Sequence, residues 1–161
     1  MKYFKYIDNE LHIGEISYLE IDAEYYCVRA VFEHNNKIYT TNFIYKVYFL
    51  PEGSYIDEQE YLGEEITKEE FDEKWAIGLK PFLEKWNCIK NSYTIGKKIN
   101  AKMICIYPQG IVCDIGEIFH GIVNYDQCKI KYGSNTLYPG KEMKLCIIGY
   151  DENNMWIKME T

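Results

Sequence analysis

From Ile95 to Thr161 the chain shows no apolar stripe at helical spacing, and Gly96, Gly110, Gly116, Gly121, Gly133, Gly140 and Gly149 cut it into short pieces. Between them lie the strand-like runs KINAKMICIY, GIVCDI, GIVNY, EMKLCIIGY and MWIKME. Five short strands opening on a longer one predict a small closed or nearly closed β-barrel.

The first half reads differently. YFKYI, LHIGEISYLEI, AEYYCVRAVFE and KIYTTNFIYKVYFL predict an antiparallel sheet of about four strands. In the last run Tyr39, Thr41, Phe43, Tyr45, Val47 and Phe49 share one face by period-two alternation. His34, Asn35 and Asn36 stand between the final two runs, and asparagine tolerates the positive φ that a tight hairpin demands. LPEGSYIDEQEYLGEE is a polar loop, after which Thr67 and Glu70 form the signature of a capped helix start. Phe71, Trp75, Leu79, Phe82 and Trp86 follow at helical spacing and predict a stripe lying on the sheet, with Pro81 kinking or dividing the helix. NCIKNSY is the expected join. The fold class is therefore α+β, an antiparallel sheet with a kinked helix over residues 1–91 and a five-stranded barrel over 92–161.

Charge separates the halves too. Residues 1–93 carry 10 Lys/Arg against 18 Asp/Glu, while residues 94–161 carry 8 Lys against 7 Asp/Glu, balances of −8 and +1. The acidic half repels phosphate backbones, and its cluster of Glu64, Glu65, Glu69, Glu70, Asp72 and Glu73 suits the positive end of a helix dipole. Tyrosine is frequent, with 16 copies, and suits half-buried strand positions. Arg29 is the one arginine among the 18 basic residues. None of the six cysteines is spaced C-x-x-C, the usual knuckle of a closed zinc site, so free thiols in a reducing compartment are expected. The N-terminus MKYFKYIDNE has no signal-peptide core and no apolar run approaches a membrane span, which predicts a cytoplasmic protein without membrane attachment.

In the second half IGKKINAKM, QGIVCDIG, GIVNY and DENNMWIKM, with Gly96, Gly110, Asp114, Gly116, Gly121, Gly140 and Asp151 in register, resemble the S-one domain. This is the OB-fold RNA-binding module named for the largest small-subunit ribosomal protein. The resemblance covers residues 95–161 and implies an OB-fold barrel that binds RNA or another single-stranded nucleic acid. The family pattern F-G-A-F-V-D-L-G offers two stacking phenylalanines, which correspond here to Gln109 and Val112. The histidine after G-L-V corresponds to Asn124, and the late basic residue aligns with Trp156. An aromatic stacking platform is worth about 1–3 kcal/mol per base, which glutamine or valine does not replace. Substitutes are at hand. Tyr107, Phe119, Tyr125 and Trp156 offer a shifted platform, with Trp156 and Lys158 alternating outward from the last strand. Lys102, Lys129, Lys131, Lys141 and Lys144 offer phosphate contacts, and Gln109 and Asn124 can hydrogen-bond base edges.

Catalytic signatures are absent. The sequence holds no G-x-x-x-x-G-K-[ST] phosphate loop, G-x-G-x-x-G fingerprint, H-E-x-x-H pair or G-x-S-x-G elbow. Asp114, Glu117 and His120 lie close together beside Cys113, but they straddle a turn and read as a solvated loop rather than a metal site. His12 and His34 lack a partner carboxylate at helical spacing. The expectation is a non-catalytic protein, with no cofactor and no metal, that binds single-stranded RNA or DNA weakly. Its site residues are Lys102, Tyr107, Gln109, Asn124, Tyr125, Lys129, Lys131, Lys144, Trp156 and Lys158. The competing expectation is a regulatory or protein-interaction module whose acidic helix start docks a basic partner.

Overall fold

The His34–Lys37 hairpin shows how the first half is organised. In the computed structural model, which describes residues 1–9, 13–44, 50, 54–55 and 63–161, Asn35 and Asn36 sit at φ 49° and 59°. Left-handed backbone at two successive residues makes the turn whose twist matches the flanking strands. The strands it joins, β3 (Cys27–His34) and β4 (Lys37–Thr40), pair antiparallel and close at His34↔Lys37. With β1 (Lys2–Asp8), β2 (Glu15–Ile21) and the short β5 (Glu64–Glu65) they form one antiparallel sheet in the order β4-β3-β2-β1-β5.

The run expected to continue through Phe49 stops sooner. Thr41 Oγ1 accepts the Ala30 N–H at 3.0 Å in place of a ladder carbonyl, and Phe43 N–H then donates to Thr40 O at 3.1 Å, turning the chain. Tyr45, Val47 and Phe49, like His12 and most of the Pro51–Glu65 loop, lie outside the described residues.

Helix α1 (Lys68–Leu79) starts as its sequence predicts. Thr67 is the N-cap, and its side chain accepts from Glu70 N–H at 3.2 Å. Phe71, Trp75 and Leu79 are buried, and Arg29 of β3 ties this face to the sheet. Its guanidinium lies 4.9 Å from the Phe71 ring centre and 5.0 Å from that of Trp75. The same group donates to Glu20 at 2.5 Å and Asp72 at 3.2 Å. Burial pushes the Asp72 carboxyl up, but the Lys68 hydrogen bond and the Arg29 charge outweigh it and hold that carboxyl below its usual range. Gly78 allows the close approach, since a Cβ there would run into Thr40 Cγ2.

A 3₁₀ turn at Lys80–Phe82 follows, then α2 (Leu83–Ser92). The chain divides into two compact units, Met1–Phe82 and Leu83–Thr161, so α2 belongs with the second. Trp86, expected on the sheet with the rest of the stripe, instead packs in the second unit, its ring centre 5.2 Å from that of Phe119.

In that second unit β6 (Lys98–Tyr107), β7 (Gly110–Asp114), β8 (His120–Val123), β9 (Glu142–Asp151) and β10 (Trp156–Glu160) close into a barrel of order β10-β8-β7-β6-β9. Every neighbouring pair is antiparallel except β8 and β10, which run parallel from Trp156↔His120 to Met159↔Val123. Met103, Ile111, Val123, Leu145, Ile147 and Ile157 belong to its core. Gly121 leaves room for Met159, whose Cε would meet any Cβ at that position.

One element was not expected. Helix α3 (Tyr125–Tyr132) connects β8 to β9. Only Cys128 of its eight residues is buried, so it carries no apolar stripe to read. Its start is marked by Asn124, whose side-chain oxygen accepts from Gln127 N–H at 3.0 Å. Gly133 at φ 82° ends it, with its N–H on Lys129 O.

Helix α2 is stitched to the barrel by polar bonds around an aromatic contact. Trp86 Nε1 donates to Glu152 at 2.6 Å, and Lys90 bridges the same carboxylate at 3.0 Å. Tyr150 OH donates to the carbonyls of Lys90 and Tyr93, and Tyr93 OH donates to Ile115 O. These bonds tie α2 and the residue that follows it to the β7–β8 loop and the β9–β10 turn. Among the described residues no helix is long and apolar enough to cross a membrane.

Candidate nucleic-acid interface

The ten residues singled out in the sequence divide by chemistry. The aromatic ones go inward. Trp156, expected to face out beside Lys158, is 2 % exposed, and Tyr107 is 6 % exposed. Their rings pack against each other with centres 6.4 Å apart. Phe119 is buried against Trp86, and Val112, which the resemblance aligns with a stacking phenylalanine, is fully buried. Tyr125 is half-buried as the first residue of α3. Alternation along β10 places Trp156 and Lys158 on one side of the strand, but neighbours remote in sequence cover the tryptophan and leave the lysine in solvent.

The polar positions are split as well. Gln109 is exposed in the β6–β7 turn. Asn124 is the N-cap of α3, so its side-chain oxygen already serves the helix. Of β7 and β8, only Asp114 is exposed; from Gly110 to Cys113 and from His120 to Val123 every residue is buried. His120 is therefore not the solvated loop residue that the sequence predicts. It stands in β8 opposite Asp114, and burial lowers its pKa to about 4, with Asp114 only partly opposing the shift.

The lysines stay outside. Lys102, Lys129, Lys131, Lys144 and Lys158 are all exposed. Lys102 faces Glu142 directly across the β6–β9 ladder, and the pair meets at 3.7 Å. Lys131 and Lys144 come together with two residues the sequence reading passed over, Lys98 and Asn100, around a groove of about 580 Å³. The signal for those two was present, because alternation in KINAKM puts Lys98, Asn100 and Lys102 on one face of β6. The end of α3 is held beside this groove by Tyr132, whose hydroxyl donates to Lys144 O at 3.2 Å. The ammonium groups of Lys131 and Lys141 lie 5.5 and 5.9 Å from the centre of the same ring.

Cys27, Cys113 and Cys128 are buried free thiols. Burial, followed by the neighbouring Cys128 and Cys105, pushes the Cys113 thiol up to about 12, far from a reactive thiolate. Among the described residues no three His, Cys, Asp or Glu side chains converge as a metal site.

No protein-family model matches this sequence, and no curated protein matches it significantly.

Proposed function

We propose that the protein is a non-catalytic binding protein whose C-terminal barrel holds single-stranded nucleic acid weakly, through phosphate contacts rather than base stacking. The connectivity of the barrel carries this reading. Five strands close in the order β6-β7-β8-β10-β9, with β8 and β10 parallel and a helix between β8 and β9. That connectivity supports an OB fold of the S-one type, the fold that the resemblance of residues 95–161 implies. The side chains modify the expectation. With Tyr107, Phe119 and Trp156 in the core, the exposed part of the predicted set is mainly lysine, which recognises a charged backbone and not a sequence. Binding of this kind weakens steeply as salt rises.

A second reading draws on the first unit. Glu69 and Glu73 are exposed one turn apart on α1, and neither forms an ion pair within 4.0 Å among the described residues. They offer a docking face for a basic protein. Asp72 does not belong to that face, being held by Arg29 and Lys68.

One titration separates the two. The protein is added to fluorescent 12-nucleotide U and dT strands, and anisotropy is followed at low and near-physiological salt. Micromolar affinity that falls with salt supports the nucleic-acid reading. Absence of binding at low salt defeats it and leaves the acidic helix as the surface to pursue.

A further inference from the structure

We infer that a single strand lies not on the β7–β8 face but along the groove between β6, β9 and the end of α3, its phosphodiester backbone held by Lys98, Lys131 and Lys144. This rests on the nucleic-acid reading above and specifies where that binding occurs. The β7–β8 face has little to offer, since all its residues but Asp114 are buried. The groove presents three ammonium groups with Asn100 on the same ladder.

The ladder itself shows why this charge calls for a ligand. Lys98 pairs with Cys146 and Asn100 with Lys144, so the two lysines are diagonal neighbours on the outer face, roughly 7–8 Å apart at this register. The next rung, Lys102↔Glu142, is charge-matched and bridged. Lys98, Lys131 and Lys144 have no carboxylate within 4.0 Å among the described residues. Glu160, opposite Cys146, bridges none of them, and neither does Thr161, which also lines the groove. The two ammonium groups are diagonal and exposed, so their repulsion is modest, but together they leave this stretch of the face with unbalanced positive charge. A run of phosphates supplies the missing anions. Asn100, with a carbonyl acceptor and an amide donor, can meet sugar or base edges at the centre of the track.

The test compares three proteins on U and dT 12-mers. The groove variant carries Lys98→Gln, Lys131→Gln and Lys144→Gln. The control carries Lys37→Gln, Lys80→Gln and Lys85→Gln, an equal charge change at exposed residues that neither line the groove nor belong to the predicted set. Thermal melts that match the wild type verify the folds, and Lys131→Glu alone, at an exposed helix position, is the second variant. The groove variant is expected to bind at least about tenfold more weakly at low salt, with a log–log salt slope shallower by about 2, as for three lost single-strand phosphate contacts. The control stays within about threefold of wild type. The inference is overturned, with nucleic-acid binding intact, if the wild type binds but the groove variant binds equally well, or if both variants weaken alike. A wild type that binds neither strand overturns both readings. A strong preference for U over dT, or the reverse, overturns the claim that phosphate contacts dominate.

Discussion

Trp156 decides how mutations in the barrel must be interpreted. It is 2 % exposed and packed on Tyr107, so Trp156→Ala is expected to destabilise the protein by about 3–5 kcal/mol. Denaturant unfolding measures that loss. An exposed binding platform would instead lose affinity and keep its stability. Asn124 makes a milder case. Replacing it with alanine removes the α3 cap and costs about 1 kcal/mol, read as a small shift in the same unfolding curve. His120 gives the barrel a pH dependence. Its folded pKa, about 4, lies below the unfolded value of 6.5, so between those values the unfolded chain takes up a proton that the folded chain refuses. Stability is therefore full above about pH 6.5 and falls as pH is lowered, by up to about 3 kcal/mol at pH 4. Glu152 acts in the same direction, because the Trp86 hydrogen bond, with help from Lys90, holds its carboxyl below the usual range. Melting temperatures at pH 7 and 4.5 should differ clearly for the wild type and less for His120→Leu.

At the scale of elements, what the sequence made legible follows from where each signal is stored. Local chemistry was readable. Asn35 and Asn36 announce a turn, Thr67 and Glu70 a helix start, and the alternations of β6 and β9 the strands of a barrel. Packing against distant partners was not. The stripe from Phe71 to Trp86 looks like one face of one helix, yet Phe71, Trp75 and Leu79 fall in the sheet unit and Trp86 in the barrel unit. Helix α3 escaped because it buries a single residue, although Asn124 and Gln127 spell a capping pair that would have located its start. The groove was half legible, as Lys131 and Lys144 but not Lys98 and Asn100. A consequence of close packing is testable at this scale. Gly78→Ala improves helix propensity by up to about 1 kcal/mol, but the new methyl meets Thr40, which is 1 % exposed. Overpacking of this kind costs about 1–3 kcal/mol, so the substitution should lower the denaturation midpoint.

For the whole molecule the governing quantity is the uneven charge, −8 over residues 1–93 and +1 over residues 94–161. At low ionic strength, where the screening length reaches about 30 Å, a net negative charge on the chain slows and weakens the approach of any polyanion. Glu69→Gln with Glu73→Gln should therefore tighten binding of a U 12-mer a few-fold at about 0.01 M salt and leave it unchanged at 0.15 M. If α1 is a docking face instead, the same double substitution abolishes capture of a basic partner and leaves RNA untouched.

The placement of the thiols turns the protein into its own footprinting tool. Cys88 is exposed on α2, in a cleft with Lys85 and Ile118, while Cys146 is half-buried and lines the lysine groove. A small thiol-reactive reagent should label Cys88 first and the half-buried Cys105 and Cys146 more slowly, leaving buried Cys27, Cys113 and Cys128 until the protein unfolds; Cys105, which does not line the groove, is an internal reference. A strand seated in the groove would shield Cys146 and leave Cys88 open, so the ratio of the two labels reports occupancy within a single native chain, with no substitution introduced.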